Sequence, residues 1–212
     1  MNCYQAALLV ALLGFVGSAP LPEKRDSMDS HFIGYAHSFI STVLKGIPAA
    51  HASWINSPSL KLGSSVNPEL QHLKENLIPS APVLESISDN FTLEICLDRI
   101  FKGLKLHVNL LTEISEGTKL KQTEQVAELQ ADIEELLSLI NKMQTEAGFE
   151  RSVEASQHDL AKNLKSTYIT QVAAHLTLQQ LQVFSCDVLR SILSFRDMTP
   201  SPSTSEDWEQ CP

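Results

Sequence analysis

Between Ser88 and Ser115, apolar residues fall at Leu93, Leu97, Ile100, Leu104, Val108, Leu111 and Ile114. Steps of three and four put them on one face of a helix. The same period runs through Phe32, Ala36, Phe39, Val43 and Ile47. It predicts a first helix from about Ser30 to Gly46, capped by Asp29 or Ser30 and ended by Gly46 and Pro48. Proline has no backbone N–H to continue the ladder. The cleanest stripe is Val126, Leu129, Ile133, Leu136, Ile140 and Met143, a helix from about Lys121 to Glu146 with Gly148 as its C-cap. A last helix carries Leu164, Val172, Leu178, Leu181, Phe184, Val188, Ile192 and Phe195. Ser156 offers it a cap, but a helix from there to Arg196 would reach about 60 Å, far longer than its neighbours. The expected regular helix therefore starts at about residue 160 or later.

The connections between these helices differ in length. Residues 48–87 hold Pro48, Pro58, Pro68, Pro79 and Pro82, and a loop of that length needs a reason. An overhand crossover supplies one, because two helices pointing the same way need a link running back along the bundle, about 30 Å for helices of about 20 residues. Within it, Asn67-Pro68-Glu69-Leu70 reads as the start of a short helix, with Asn67 as cap and Pro68 in the first turn. Around Glu116-Gly117-Thr118 a short link turns the chain back. Long, short, long connections predict an all-α, long-chain four-helix bundle of up-up-down-down topology. From Met198 the chain is rich in Pro, Ser and Thr, which predicts a disordered tail over 198–212.

Composition narrows the partners. The hydrophobic fraction of 43% supports a core, and a net charge of −9 argues against nucleic acid or an anionic membrane as the main partner. Residues 1–19 read as a signal peptide: Leu8 to Val16 is apolar, too short to span a bilayer, and Gly17-Ser18-Ala19 suit cleavage. A secreted, extracellular domain over 20–197 is expected. Cys3 leaves with the peptide, so Cys96, Cys186 and Cys211 remain, an odd number in an oxidising compartment. One bridge and one free thiol is the simplest outcome, and an intermolecular bridge is the alternative. Asn90-Phe91-Thr92 is a glycosylation sequon, useful only if Asn90 lies exposed at the start of the second helix.

No catalytic pattern is present: no Gly-rich phosphate loop, no His-Glu-x-x-His and no Gly-x-Ser-x-Gly. The seven histidines (His31, His37, His51, His72, His107, His158 and His175) show no i, i+4 pair and are expected at the surface or its edge. The cysteines lack zinc-site spacing. The expectation is a non-enzyme with no cofactor and no metal. One polar feature stands out, because Glu124, Glu128, Asp132 and Glu135 make an acidic stripe beside the apolar one on the third long helix. Such a run is either a solvated face or a docking edge for a basic partner.

The second helix carries Cys96, six residues, Gly103-Leu104 and then Leu111. This arrangement resembles the helix-B signature of the interleukin-6 / granulocyte colony-stimulating factor / myelomonocytic growth factor family. Ile78-Pro79-Ser80-Ala81-Pro82 is similar to the run before that helix in the family's colony-stimulating branch, and Asn67-Pro68-Glu69-Leu70 to its short crossover helix. Leu129 to Met143 matches its register, as do Val172-Ala173-Ala174-His175-Leu176 and Val188-Leu189-Arg190 in the last helix. The resemblance covers roughly residues 30–196. It departs at Ser86, where the family has a second Cys, at His107, where it has another aromatic, and at Ser41, where it has an important Glu on the first helix.

The resemblance implies a secreted four-helix cytokine that binds class I cytokine receptors, a monomer when free and 2:2 with receptor, without membrane insertion. It implies one docking surface on the first and third long helices, with Lys45, Asp132 and Glu135, and a second near the crossover helix, with Glu69. It also implies that the start of the second helix and the end of the last lie at one end of the bundle, so that Cys96 would pair with Cys186 or Cys211. An interleukin-6-like ligand of the shared family receptor is the nearest alternative reading, and a secreted helical carrier of apolar ligands is one of a different class.

Overall fold

A computed structural model describes residues 29–63, 68–88, 90–117, 120–149, 160–164, 166–197 and 211. The predicted signal peptide, the tail apart from Cys211, the proposed caps Asn67 and Ser156, and His158 lie outside the described residues. Five α-helices account for most of the rest: α1 Ser30–Trp54, α2 Pro68–Leu77, α3 Leu93–Gly117, α4 Glu124–Glu146 and α5 Thr167–Asp197. A 3-10 turn, Leu160–Asn163, precedes α5. Among the described residues the only β feature is an isolated bridge between Ser88 and Phe91. The fold is an all-α helical bundle.

The local signals account for most helix ends. Asp29 caps α1, its side chain accepting from the His31 N–H at 2.9 Å. Thr123 caps α4 through Val126 N–H. At the other end of α4, Gly148 takes φ +72°, a conformation that costs glycine nothing. Its N–H donates to Thr145 O and the Phe149 N–H to Gln144 O, the paired bonds of a Schellman motif. The last helix follows its predicted start, with α5 beginning at Thr167 after the 3-10 turn.

The first helix differs from expectation. It does not stop at Gly46 but continues through Pro48 to Trp54. A proline inside a helix costs about 3 kcal/mol, through the lost bond to the carbonyl four residues back. The extra turns bury Ile47, Ala50, His51 and Trp54, and an aliphatic side chain such as Ile47 returns about 1.5–3 kcal/mol. Trp54 also donates its indole N–H to Lys121 O at 3.1 Å, and Ser53 Oγ meets Thr123 Oγ1 at 2.7 Å. Tertiary burial outweighs the proline, and the connection from α1 to α3 shortens accordingly.

Both α1 and α3 pack against α4 and α5, while α2 rests on α5. The end of α1 meets the start of α4, and at the other end Lys142 of α4 lies over the Phe32 ring, 5.1 Å from its centroid. Near the end of α3, Thr112 Oγ1 accepts from Gln130 Nε2 of α4 at 3.0 Å. His51 of α1 meets His175 in the first half of α5, while Gly103 of α3 faces Phe184. The α3 and α4 stripes are buried as read, apart from Leu93, which is only half-buried. In α1 the buried line runs instead through Ile33, Ala36, Ile40, Val43, Ile47, Ala50 and Trp54, with Phe32 and Phe39 at its edge. α5 is buried on most sides, packed on several neighbours, and takes polar residues such as Thr177, Gln180 and Ser185 inside with it.

Candidate functional site

The acidic stripe lies along α4 on the side turned to α1. Glu124, Glu128 and Glu135 are exposed, and Asp132 is half-buried. Gly46 explains the difference. A Cβ at Gly46 would sit 3.4 Å from Leu129 Cδ1 and 4.0 Å from Asp132 Oδ2, so the bare α1 backbone closes on α4 at this point. Asp132 therefore stands in the seam between the two helices. Its carboxyl is held above the usual range by burial first, then by the charges of Glu135 and Glu128. Three carboxylates this close on one helix repel one another and work against the bundle. Lys45, the residue before Gly46, is exposed. Among the described residues, no salt bridge joins Lys45 to the stripe.

Of the expected docking residues, Asp132 stands in the α1–α4 seam, Glu135 is exposed one turn on along α4, and Lys45 is exposed on α1 next to Gly46. Tyr35 adds an exposed aromatic further along α1, 54% accessible and 5.7 Å from the His31 ring. Glu69 is not part of that seam: it lies in the first turn of α2, which packs on α5, and its side chain is outside the described residues. Asn90 is exposed in the tight turn closed by the paired Ser88 and Phe91 backbone bonds.

The cysteines resolve into one bridge and one thiol. Cys186 and Cys211 form a disulfide with Cα atoms 5.7 Å apart. Cys96, which the resemblance paired with one or the other, is a free, buried thiol on the α3 face toward α5. Burial pushes it up to about 11 despite opposing effects from Ser191 and Arg99, so it is an inert thiol near neutral pH.

The histidines correct the reading from sequence. His31 and His72 are exposed and His37 is half-buried, but His51, His107 and His175 are buried. His107 places its ring 5.5 Å from Phe184 and its Nδ1 2.7 Å from Gly103 O. With Gly103 O as acceptor, Nδ1 carries the proton and the imidazole is neutral. Burial, the largest effect, holds its pKa down at about 4. His51 Nε2 and His175 Nδ1 lie 2.9 Å apart across the α1–α5 interface. Each ring satisfies the other at a sequence distance of 124 residues, a partnership no local pattern reveals.

Comparison of the chain with protein-family models and with curated proteins gives no match in either case. Among the described residues, no group of three or more His, Cys, Asp or Glu is arranged to hold a metal ion. No described helix is long and apolar enough to cross a membrane. On α4 the exposed carboxylates of Glu124, Glu128 and Glu135 flank the half-buried Asp132, and Tyr35 is an exposed aromatic on α1.

Proposed function

We propose that the chain is a secreted four-helix cytokine similar to granulocyte colony-stimulating factor. In this reading it binds class I cytokine receptors, brings two receptor chains together, activates their associated Janus kinases and promotes granulocyte-lineage growth and survival. The observation that carries the proposal is the α1–α4 seam, where Gly46 lets α1 close on Asp132 and leaves Lys45 and Glu135 exposed beside it. These are the positions that the helix-B family resemblance assigns to receptor docking. Charge at such a face favours association rate and partner choice.

An up-up-down-down topology is part of the same proposal. It is supported by the end of α1 meeting the start of α4, by the end of α3 meeting α4 near Gln130, and by the first half of α5 meeting the end of α1. Two surfaces on one rigid bundle allow a single ligand to engage two receptors, each contact raising the effective concentration for the next.

The test is the double substitution Asp132→Lys with Glu135→Lys. The expected result is at least about a tenfold loss of affinity for the colony-stimulating factor receptor ectodomain by surface plasmon resonance, the scale of one broken charged contact. Circular dichroism and the denaturation midpoint should stay close to those of the parent protein. An unchanged affinity removes the site, and signalling in cells that carry only the shared interleukin-6 receptor removes the assignment.

A further inference from the structure

We propose that the bundle contains an acid-opened latch between α1 and α5, in which protonation of the buried His51–His175 pair drives α5 away from α1. The inference goes beyond the cytokine reading and does not depend on it, since it rests on the packing of the bundle alone.

The geometry carries it. His51 lies in the last turn of α1 and is 8% exposed, and His175 lies in the first half of α5 and is 1% exposed. Their ring nitrogens are 2.9 Å apart, with the rings edge to face at 5.2 Å between centroids. The neutral pair needs one proton in the shared bond, with one ring donating and the other accepting. One added proton leaves a buried cation. A second puts two N–H groups and two positive charges against each other at hydrogen-bond distance.

Among the described residues, the surroundings offer no compensation. Between Thr167 and Cys186, α5 carries no Asp, Glu, Lys or Arg. At this end of the bundle α4 brings Lys121 just before its first turn and Glu124 within it, both exposed, and α3 brings Glu113 and Glu116. Glu113 is engaged by the Leu160 N–H at 2.7 Å, and Glu116 is exposed. Lys45 is exposed two turns back on α1. What acts on His51 is burial, then the His175 ring, and on His175 burial.

The sign follows from linkage. His51 is held at about 4 in the folded protein, against about 6.5 in an open chain, and His175 is lowered in the same direction. The unfolded or opened state therefore binds more protons between these values. The stabilising effect is fully present above about 6.5 and is lost as pH falls toward 4. A ring held near 4 lowers the folded-to-open ratio about tenfold on going from pH 7 to about 5.5.

The test compares denaturation midpoints of the full chain at pH 7 and pH 5.5 with those of the double variant His51→Gln, His175→Gln. The wild-type midpoint is expected to fall with acid, and that of the variant, which keeps His107 but lacks both rings of the pair, to fall markedly less. A wild-type midpoint that is the same at both pH values, or an equal fall in the variant, overturns the latch. Should the variant fail to fold, histidine-ring resonances and amide exchange in the wild-type protein decide. Rings of His51 and His175 that stay neutral until α5 amides lose protection support it. Rings that titrate near about 6.5, like a free imidazole, while α5 stays protected overturn it.

Discussion

At the scale of single residues, Gly103 is fixed by packing. A Cβ at this position would stand 2.1 Å from Phe184 Cζ and 2.6 Å from Cε1, well inside any real contact. The Phe184 ring lies directly on the α3 backbone, and the His107 ring stacks beside it. His107, where the resemblance calls for another aromatic, thus places an imidazole ring in the α3–α5 core. Gly103→Ala would gain about 1 kcal/mol of helix propensity. Forcing a buried ring aside costs about 1–3 kcal/mol, and with three ring atoms below 3.0 Å the clash is the larger effect. The expected outcome is net destabilisation of about 1–2 kcal/mol by urea denaturation. Combining it with Phe184→Leu should recover part of that loss in a double-mutant cycle, and strict additivity would show that the ring is not the cause.

At the scale of elements, the segment before α3 is fastened to that helix without a covalent link. Ser86 stands where the family resemblance calls for the second cysteine, and Cys96 is unpaired. Arg99 makes the attachment. It donates to Val83 O at 2.7 Å, pairs with Glu85 at 3.3 Å, and lies over the Phe91 ring at 4.9 Å. Glu85 is largely exposed, and such an ion pair contributes little. The hydrogen bond to Val83 O and the ring contact carry the attachment. From the far side Gln180 of α5 donates to Pro79 O at 3.2 Å. Arg99→Ala is expected to cost about 0.5–1.5 kcal/mol globally. It should also speed limited proteolysis between Pro79 and Ser88, and a cleavage rate equal to that of the parent would show that the segment is held elsewhere. None of this was visible in periodicity, because a side chain reaching a loop carbonyl 16 residues earlier leaves no repeating mark.

At the scale of the whole molecule, the Cys186–Cys211 bridge ties the chain beyond α5 back to that helix across 25 residues. A loop of that size limits the unfolded chain by about 2–4 kcal/mol. Cys186→Ser with Cys211→Ser should lower the thermal midpoint accordingly while leaving helix content by circular dichroism unchanged. No change in midpoint would mean that the bridge closes no strained or restrictive loop. What the sequence determined alone was the set of helices and most of their inward faces. The α4 stripe from Val126 to Met143 and the Gly148 cap both follow from local rules of spacing and backbone freedom. The tertiary structure decided the rest. It carried α1 past Pro48, because burying Trp54 and its neighbours outweighs one missing hydrogen bond. It moved three histidines inside, and it bridged Cys186 to Cys211 while leaving Cys96 alone. Each of these depends on a partner distant in the chain, and the free energy of such a contact is set by which surfaces meet, which local periodicity does not encode.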